Sequence, residues 1–314
     1  MQHAHRSDHT RRYPQAATRG SRSRLRHLLG SLPALILALV IVGTASATPA
    51  ELGMEFEVGN LGFAHDRAPG DDGIPDDEFQ LGGRFWGSYN PTDFLTVELI
   101  ADRDQVLQNS ITSRLKYRGD RVRFALGPSF GVINEPDQVV APGLSAEASV
   151  DVLPRLNIAL ATLRPLQPDL DSDGEYRQRF DRAAISSYGD NLIVTLLFEQ
   201  SRMREQDDGV TRTNRLRRYA MQAEAFEKGA PFRILVSGEY HDRSFIFDND
   251  DDATQTYGAL VLGTGVSYEP TPRFGYSVLL ESGLYNFGRN DLLGEFEEDA
   301  YLFRLRTGFT VSLD

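Results

Sequence analysis

Within the stretch HDRS, His241, Asp242 and Ser244 bring a base, a carboxylate and a hydroxyl into four residues, the types that acyl transfer uses. In an extended chain successive side chains point to opposite faces, so His241 and Asp242 diverge. Beyond residue 47 the only other histidine is His65, in a polar stretch. No Ser–His or Asp–His arrangement emerges, so no catalytic residue and no enzyme activity are expected. A second constellation is DLDSDGEY, where Asp169, Asp171, Asp173 and Gly174 match the first half of a calcium loop. Phe180 stands at the twelfth position, where a bidentate glutamate belongs, and no helix flanks the stretch. Those three aspartates are the metal candidates, and a solvated acidic loop is the alternative. No phosphate loop, redox motif or other cofactor signature is present, so no cofactor beyond calcium in the loops is expected.

Charge becomes more informative when it is read at a period of two. The closing segment YLFRLRTGFTVSL sets Tyr301, Phe303, Leu305, Phe309, Val311 and Leu313 against Arg304, Arg306 and Ser312. That alternation is a strand whose two faces meet different surroundings, and thirteen residues is more than twice the usual soluble strand of ~5–6. Similar segments recur at roughly 51–60, 78–89, 94–102, 109–118, 121–133, 143–152, 156–163, 180–188, 192–203, 213–226, 232–245, 256–268, 274–287 and 300–313. The least sorted is 180–188, and a misreading around 180–203 would leave twelve strands instead of fourteen.

The connections alternate between two kinds. Six are tight and rich in turn residues, among them NPTD (90–93), GD (119–120) and EPTPR (269–273). Seven are longer and polar, such as 60–77 and 164–178. Short turns on one side, long loops on the other and alternating strands of ~10 residues are the pattern of a transmembrane barrel. Tyr89, Phe94, Tyr117, Tyr188, Phe226, Phe232, Tyr268, Phe274 and Tyr276 lie near tight turns, as an interfacial girdle would. The expectation is an all-β chain folded as one antiparallel up-and-down transmembrane β-barrel.

Residues 22–47 carry three arginines, an apolar run from Leu32 to Val42, and Ala45-Ser46-Ala47. This reads as a signal peptide cleaved near Ala47, so residues 1–47 form an extended leader and 48–314 the barrel. The eleven-residue apolar run is shorter than the ~20 of a membrane helix. Removing the leader's seven arginines and one aspartate from the formal charge of −12 leaves about −18 on residues 48–314, which excludes nucleic acid as a natural partner.

The leader, the strand and loop pattern and the closing strand resemble bacterial outer-membrane β-barrel proteins of a Gram-negative-type envelope, over the whole of 48–314. By architecture the chain is similar to monomeric fourteen-strand porins, since strand one begins too soon after Ala47 for the N-terminal plug of fatty-acid transporters. The resemblance implies outer-membrane localisation, membrane lipid as surroundings, and a closing strand read by the barrel-assembly machinery. The chain departs from that signal in ending on Leu313-Asp314 rather than on an aromatic residue.

With the apolar face outward, Glu98, Arg114, Lys116, Arg123, Glu147, Arg217, Arg233, Glu281, Arg304 and Arg306 are expected to line a pore. Asp71, Asp72, Asp76, Asp77, Asp250, Asp251 and Asp252 would form an acidic mouth that concentrates cations. The expected function is passive diffusion of small hydrophilic solutes with a cation preference. The alternatives are a closed structural or adhesive barrel and, further off, a lipid-modifying enzyme of the outer membrane.

Overall fold

Fourteen long strands pair in chain order and close on themselves. The computed structural model describes residues 50–59, 80–104, 108–133, 139–166, 176–207, 210–248, 253–290, 294–295 and 299–313. The strands are β1 (Ala50–Gly59), β2 (Gln80–Thr92), β3 (Leu95–Asp104), β4 (Gln108–Arg118), β5 (Val122–Ile133), β6 (Val139–Leu153) and β7 (Leu156–Pro165). They continue as β8 (Tyr176–Tyr188), β9 (Leu192–Asp207), β10 (Val210–Phe226), β11 (Phe232–Asp248), β12 (Ala253–Thr271), β13 (Phe274–Asn290) and β15 (Asp299–Leu313). A two-residue strand, β14 (Gly294–Glu295), lies between β13 and β15 in sequence and pairs with Arg289 and Asn290. Each long strand is antiparallel to its predecessor, and β15 pairs with both β13 and β1. The closing ladder runs from Ala50 opposite Leu313 to Gly59 opposite Arg304. Closure leaves no edge strand, the condition for a sheet to cross hydrocarbon.

The two faces are inverted relative to a soluble protein. On β12, Leu260, Leu262 and Val266 point outward and are about half exposed or more, while Ala259 and Val261 beside them are 2% and 0% exposed. Outward apolar side chains continue round the wall, with Leu115, Leu126, Leu160, Leu196, Ile234 and Leu280 among them. So wide an apolar surface needs lipid against it.

The turn side carries a girdle. Phe94, Tyr117, Tyr188, Phe232, Tyr268, Phe274 and Tyr276 are exposed there, and Tyr276 stacks on Phe309 at 5.8 Å. Phe226 departs from the expectation, because it stands opposite Arg233 on the inner face and Arg233 lies over its ring at 5.4 Å. A second aromatic row crosses β9, β10 and β11, where Phe198 and Tyr219 are 5.2 Å apart and Tyr219 and Tyr240 6.5 Å. From Phe232 to Tyr240 the strand climbs about 27 Å, or roughly 20 Å along the membrane normal at a tilt of about 40°. The two rows therefore bracket an apolar band near the ~25 Å such barrels need.

Above that second row the outward residues turn polar: Gln200 and Arg202 on β9, Arg215 and Arg217 on β10, Asp242 on β11. Strands β9 to β13 run 16–19 residues against 10–15 for β1 to β8, so this part of the wall projects past the hydrocarbon core. The tight turns hold as expected. Gly119 N–H donates to the Val122 carbonyl at 2.9 Å and Gly189 N–H to that of Leu192 at 2.7 Å. In the turn 227–231, Gly229 takes φ of 86°, where a side chain would be strained. The far-side connections are shorter than expected at two places, since β3 and β4 are separated by residues 105–107 and β9 and β10 by 208–209.

Candidate functional site

The inner wall is the place where chemistry-bearing side chains converge. Its first half runs across β9, β10, β11, β13, β15 and β1. Glu239 is buried and accepts hydrogen bonds from Arg218 Nε at 2.8 Å and Nη2 at 2.6 Å. His241 Nε2 lies 3.0 Å from the same carboxylate, and Glu199 sits 3.8 Å from Arg218 on its other flank. Glu281 is fully buried and accepts from Arg304 Nε at 2.8 Å and from Arg306 Nε and Nη2 at 3.0 and 2.9 Å. Arg304 then reaches Glu57 at 3.5 Å and Arg306 reaches Glu55 at 4.0 Å, so the chain of ion pairs crosses the closing ladder.

Strand β12 makes room for the two buried acids. Val261 opposes Glu239 and Gly263 opposes Glu281 in register. A Cβ on Gly263 would stand 2.3 Å from Ser237 Oγ and 3.3 Å from Glu281 Cγ. The same device appears at Gly53, where the Trp86 ring occupies the space a side chain would need, 2.1 Å from its Cβ position. Small residues on one strand thus let long side chains of its neighbours lie flat against the wall.

The second half runs from β2 to β8 and is more open. Arg84 and Asp102 pair across β2 and β3 at 2.5 Å. Glu98 accepts from both Arg114 and Lys116, the latter at 2.6 Å. Arg114 also passes over β5 to Glu147 of β6 at 3.0 Å; Ala125 is the small residue between Lys116 and Glu147 in register. Arg123 meets Asp151 at 2.8 Å, and Asn157 donates to the same carboxylate at 2.7 Å. Here several charged groups are accessible, although Glu98 is buried and Arg114 nearly so: Arg123 is 49% exposed and Glu147 41%, against 0% for Glu239 and Glu281. Arg182 of β8, opposite Glu199, is also exposed on this inner face.

The register puts Glu98, Arg114, Lys116, Arg123, Glu147, Arg233, Glu281, Arg304 and Arg306 on the inner face. Arg217 is a correction. It shares the outward face of Tyr219 and pairs with Asp242 at 3.4 Å, outside the wall, while its neighbour Arg218 is the one turned inward. Counting back in twos from Ala225, Ala223, Met221 and Tyr219 gives this phase, and that was the signal available in the sequence. Asp71, Asp72, Asp76, Asp77, Asp250, Asp251 and Asp252 lie outside the described residues, as do Asp169, Asp171 and Asp173. Among the described residues no group of three or more His, Asp or Glu is placed to hold a metal ion. His241 is buried against Glu239 while Asp242 faces Arg217 on the opposite side of the strand.

No family model matches this chain, and no curated protein does either. Solved structures do. A bacterial polysaccharide outer membrane secretin is similar over 84% of this chain and 98% of its own, at 8% identity and a TM-score of 0.50. A Pseudomonas aeruginosa FadL homologue is similar over 85% and 90%, at 11% identity and a TM-score of 0.45. An anion-selective porin from Comamonas acidovorans is similar over 85% and 99%, at 9% identity and a TM-score of 0.39. At such identities the likeness is one of fold. The closed fourteen-strand antiparallel barrel, its outward apolar band and its paired aromatic rows give the chain the fold of bacterial outer-membrane β-barrels.

Proposed function

We propose that the protein is an outer-membrane channel for passive diffusion of small hydrophilic solutes, and that it favours cations. The observation that carries this reading is the unequal inner wall. The half from β9 through β15 to β1 seals Glu239 and Glu281 in ion pairs, while the half from β4 to β8 leaves Lys116, Arg123, Glu147 and Arg182 accessible. Charged groups of both signs on an inner face require water or partners, and the open half supplies fewer partners. A path along β4 to β8, braced from the opposite side, is the geometry that follows.

Acids and bases nearly balance along that inner wall, so selectivity is assigned to the mouth. Asp71, Asp72, Asp76 and Asp77, with Asp250, Asp251 and Asp252, would raise the local cation concentration over about a Debye length, ~8 Å in physiological salt. Calcium at Asp169, Asp171 and Asp173 would weaken that field, and added calcium should then reduce the cation preference. No catalytic role is assigned to His241, whose Nε2 is already engaged by Glu239.

Single-channel recording of the refolded protein in a planar bilayer under a salt gradient tests the reading. Discrete steps with a reversal potential of cationic sign are expected, and replacing Asp71, Asp72, Asp76 and Asp77 with Asn should move that potential toward zero. A folded but silent barrel would overturn the channel and leave a structural or adhesive barrel. Steps with unchanged selectivity in the variant would remove the acidic loop from the mechanism.

A further inference from the structure

Above the second aromatic row, the outward face of β8, β9 and β10 carries three arginines in one register line. Arg179 stands opposite Arg202, and Arg202 stands opposite Arg215. Like charges directly opposed on one face of a sheet repel one another. Arg164 of β7 and Arg217 of β10 flank the line. Arg202 is not without a partner of its own, and three of the other arginines meet carboxylates: Asp181 lies 2.6 Å from Arg164 and 3.1 Å from Arg179, and Asp242 lies beside Arg217. Arg215 has no ion pair among the described residues. Arg202 is exposed, and Arg179 is half exposed. Residues 48–314 carry a strong net negative charge, so a concentration of guanidinium groups on the outer wall is not a sample of the average surface.

Position narrows the partner. Arg202 lies four residues past Phe198, and Arg215 four residues from Tyr219, which is about 10 Å along the membrane normal at barrel tilt. That is the level of the headgroup layer, which extends a ~30 Å hydrocarbon core to a bilayer of ~40–45 Å. Directly beneath lie Leu196, Phe198, Tyr219 and Met221, all outward and exposed. We propose that the Arg179–Arg202–Arg215 line binds the phosphate groups of an anionic lipid in the leaflet on the long-loop side, whose acyl chains lie on this apolar surface. Guanidinium forks match phosphate oxygens two at a time, and a shared phosphate would relieve the repulsion across three strands. A soluble anion would meet the same charges but leave the apolar surface unused.

The test uses the full chain folded in detergent micelles, with lipid binding read by native mass spectrometry. The probes are diphosphorylated lipid A, its dephosphorylated form, and inorganic phosphate as competitor. The diphosphorylated lipid should bind the parent protein at least about tenfold more tightly than the Arg179→Gln/Arg202→Gln/Arg215→Gln variant, the size of one lost charge-assisted contact. The dephosphorylated lipid should bind comparably weakly to both, and inorganic phosphate should not displace the lipid. Arg155→Gln, on the tight-turn side, should bind as the parent does. Equal binding by the triple variant overturns the proposal, and so does an equal loss in Arg155→Gln. Displacement by inorganic phosphate would overturn it in favour of a soluble-anion site. If the triple variant does not fold, Arg202→Gln alone must still weaken binding severalfold, and unchanged affinity there overturns the proposal.

Discussion

Two adjacent arginines show how much a side chain's worth depends on which face it takes. Arg218 holds Glu239, whose carboxylate is fully buried, with two hydrogen bonds. Arg217, one residue earlier, meets Asp242 across an exposed surface at 3.4 Å. Removing one partner of a buried pair strands the other charge, at a cost of about 3–5 kcal/mol. An exposed pair contributes at most about 1 kcal/mol. Arg218→Ala should therefore shift denaturant unfolding of the barrel in lipid vesicles strongly, and Arg217→Ala should barely shift it. Equal shifts would undo the phase assigned to β10. The acid on the far side makes the same case, because Glu281 carries Arg304 and Arg306 together and so ties β13 to the closing strand.

At the scale of the element, alternation works only where the two faces meet different solvents. Leu305 of β15 lies on the outward face with Leu280 and Val58 beside it in register, four residues from the Phe309 girdle position. Leu305→Arg should cost about 2–4 kcal/mol near midplane, read as a loss of folding free energy in vesicles; a neutral result would place that face away from lipid. Inside the band the strands were legible in the sequence, and all fourteen fall at their expected places, including the weakly sorted 180–188, which is the lower part of β8. Above the band both faces meet polar surroundings and the signal fades. Arg212, Arg215, Arg217 and Arg218 crowd one stretch of β10 without sorting, which is why Arg217 reads as a pore residue from sequence alone. The polar residues 204–212 read as a long loop for the same reason, although β9 and β10 continue to Asp207 and from Val210. The ion-pair partners were less legible than the strands, because Arg114 reaching Glu147 skips a strand, and nothing in a one-dimensional pattern marks such a reach.

For the whole molecule, the channel reading assigns stability to one half of the inner wall and transport to the other. Residues of the sealed half hold the cylinder closed: Glu55, Glu57, Glu281, Arg304 and Arg306 lie on both sides of the β1–β15 ladder and on β13. On that reading, residues of the open half stand where a solute would pass. The channel reading then predicts opposite outcomes for two arginine replacements. Arg123→Glu reverses an accessible charge beside Asp151 and should move the reversal potential toward greater cation selectivity while the barrel keeps its unfolding midpoint to within about 1 kcal/mol. Arg304→Gln weakens the support of buried Glu281 and should lower the midpoint while the selectivity of the channels that remain is unchanged. Paired bilayer recordings and unfolding curves on the same two preparations decide the matter. If Arg304→Gln changed selectivity and Arg123→Glu did not, the passage would run along the β13–β15–β1 wall, and the ion pairs there would be its constriction.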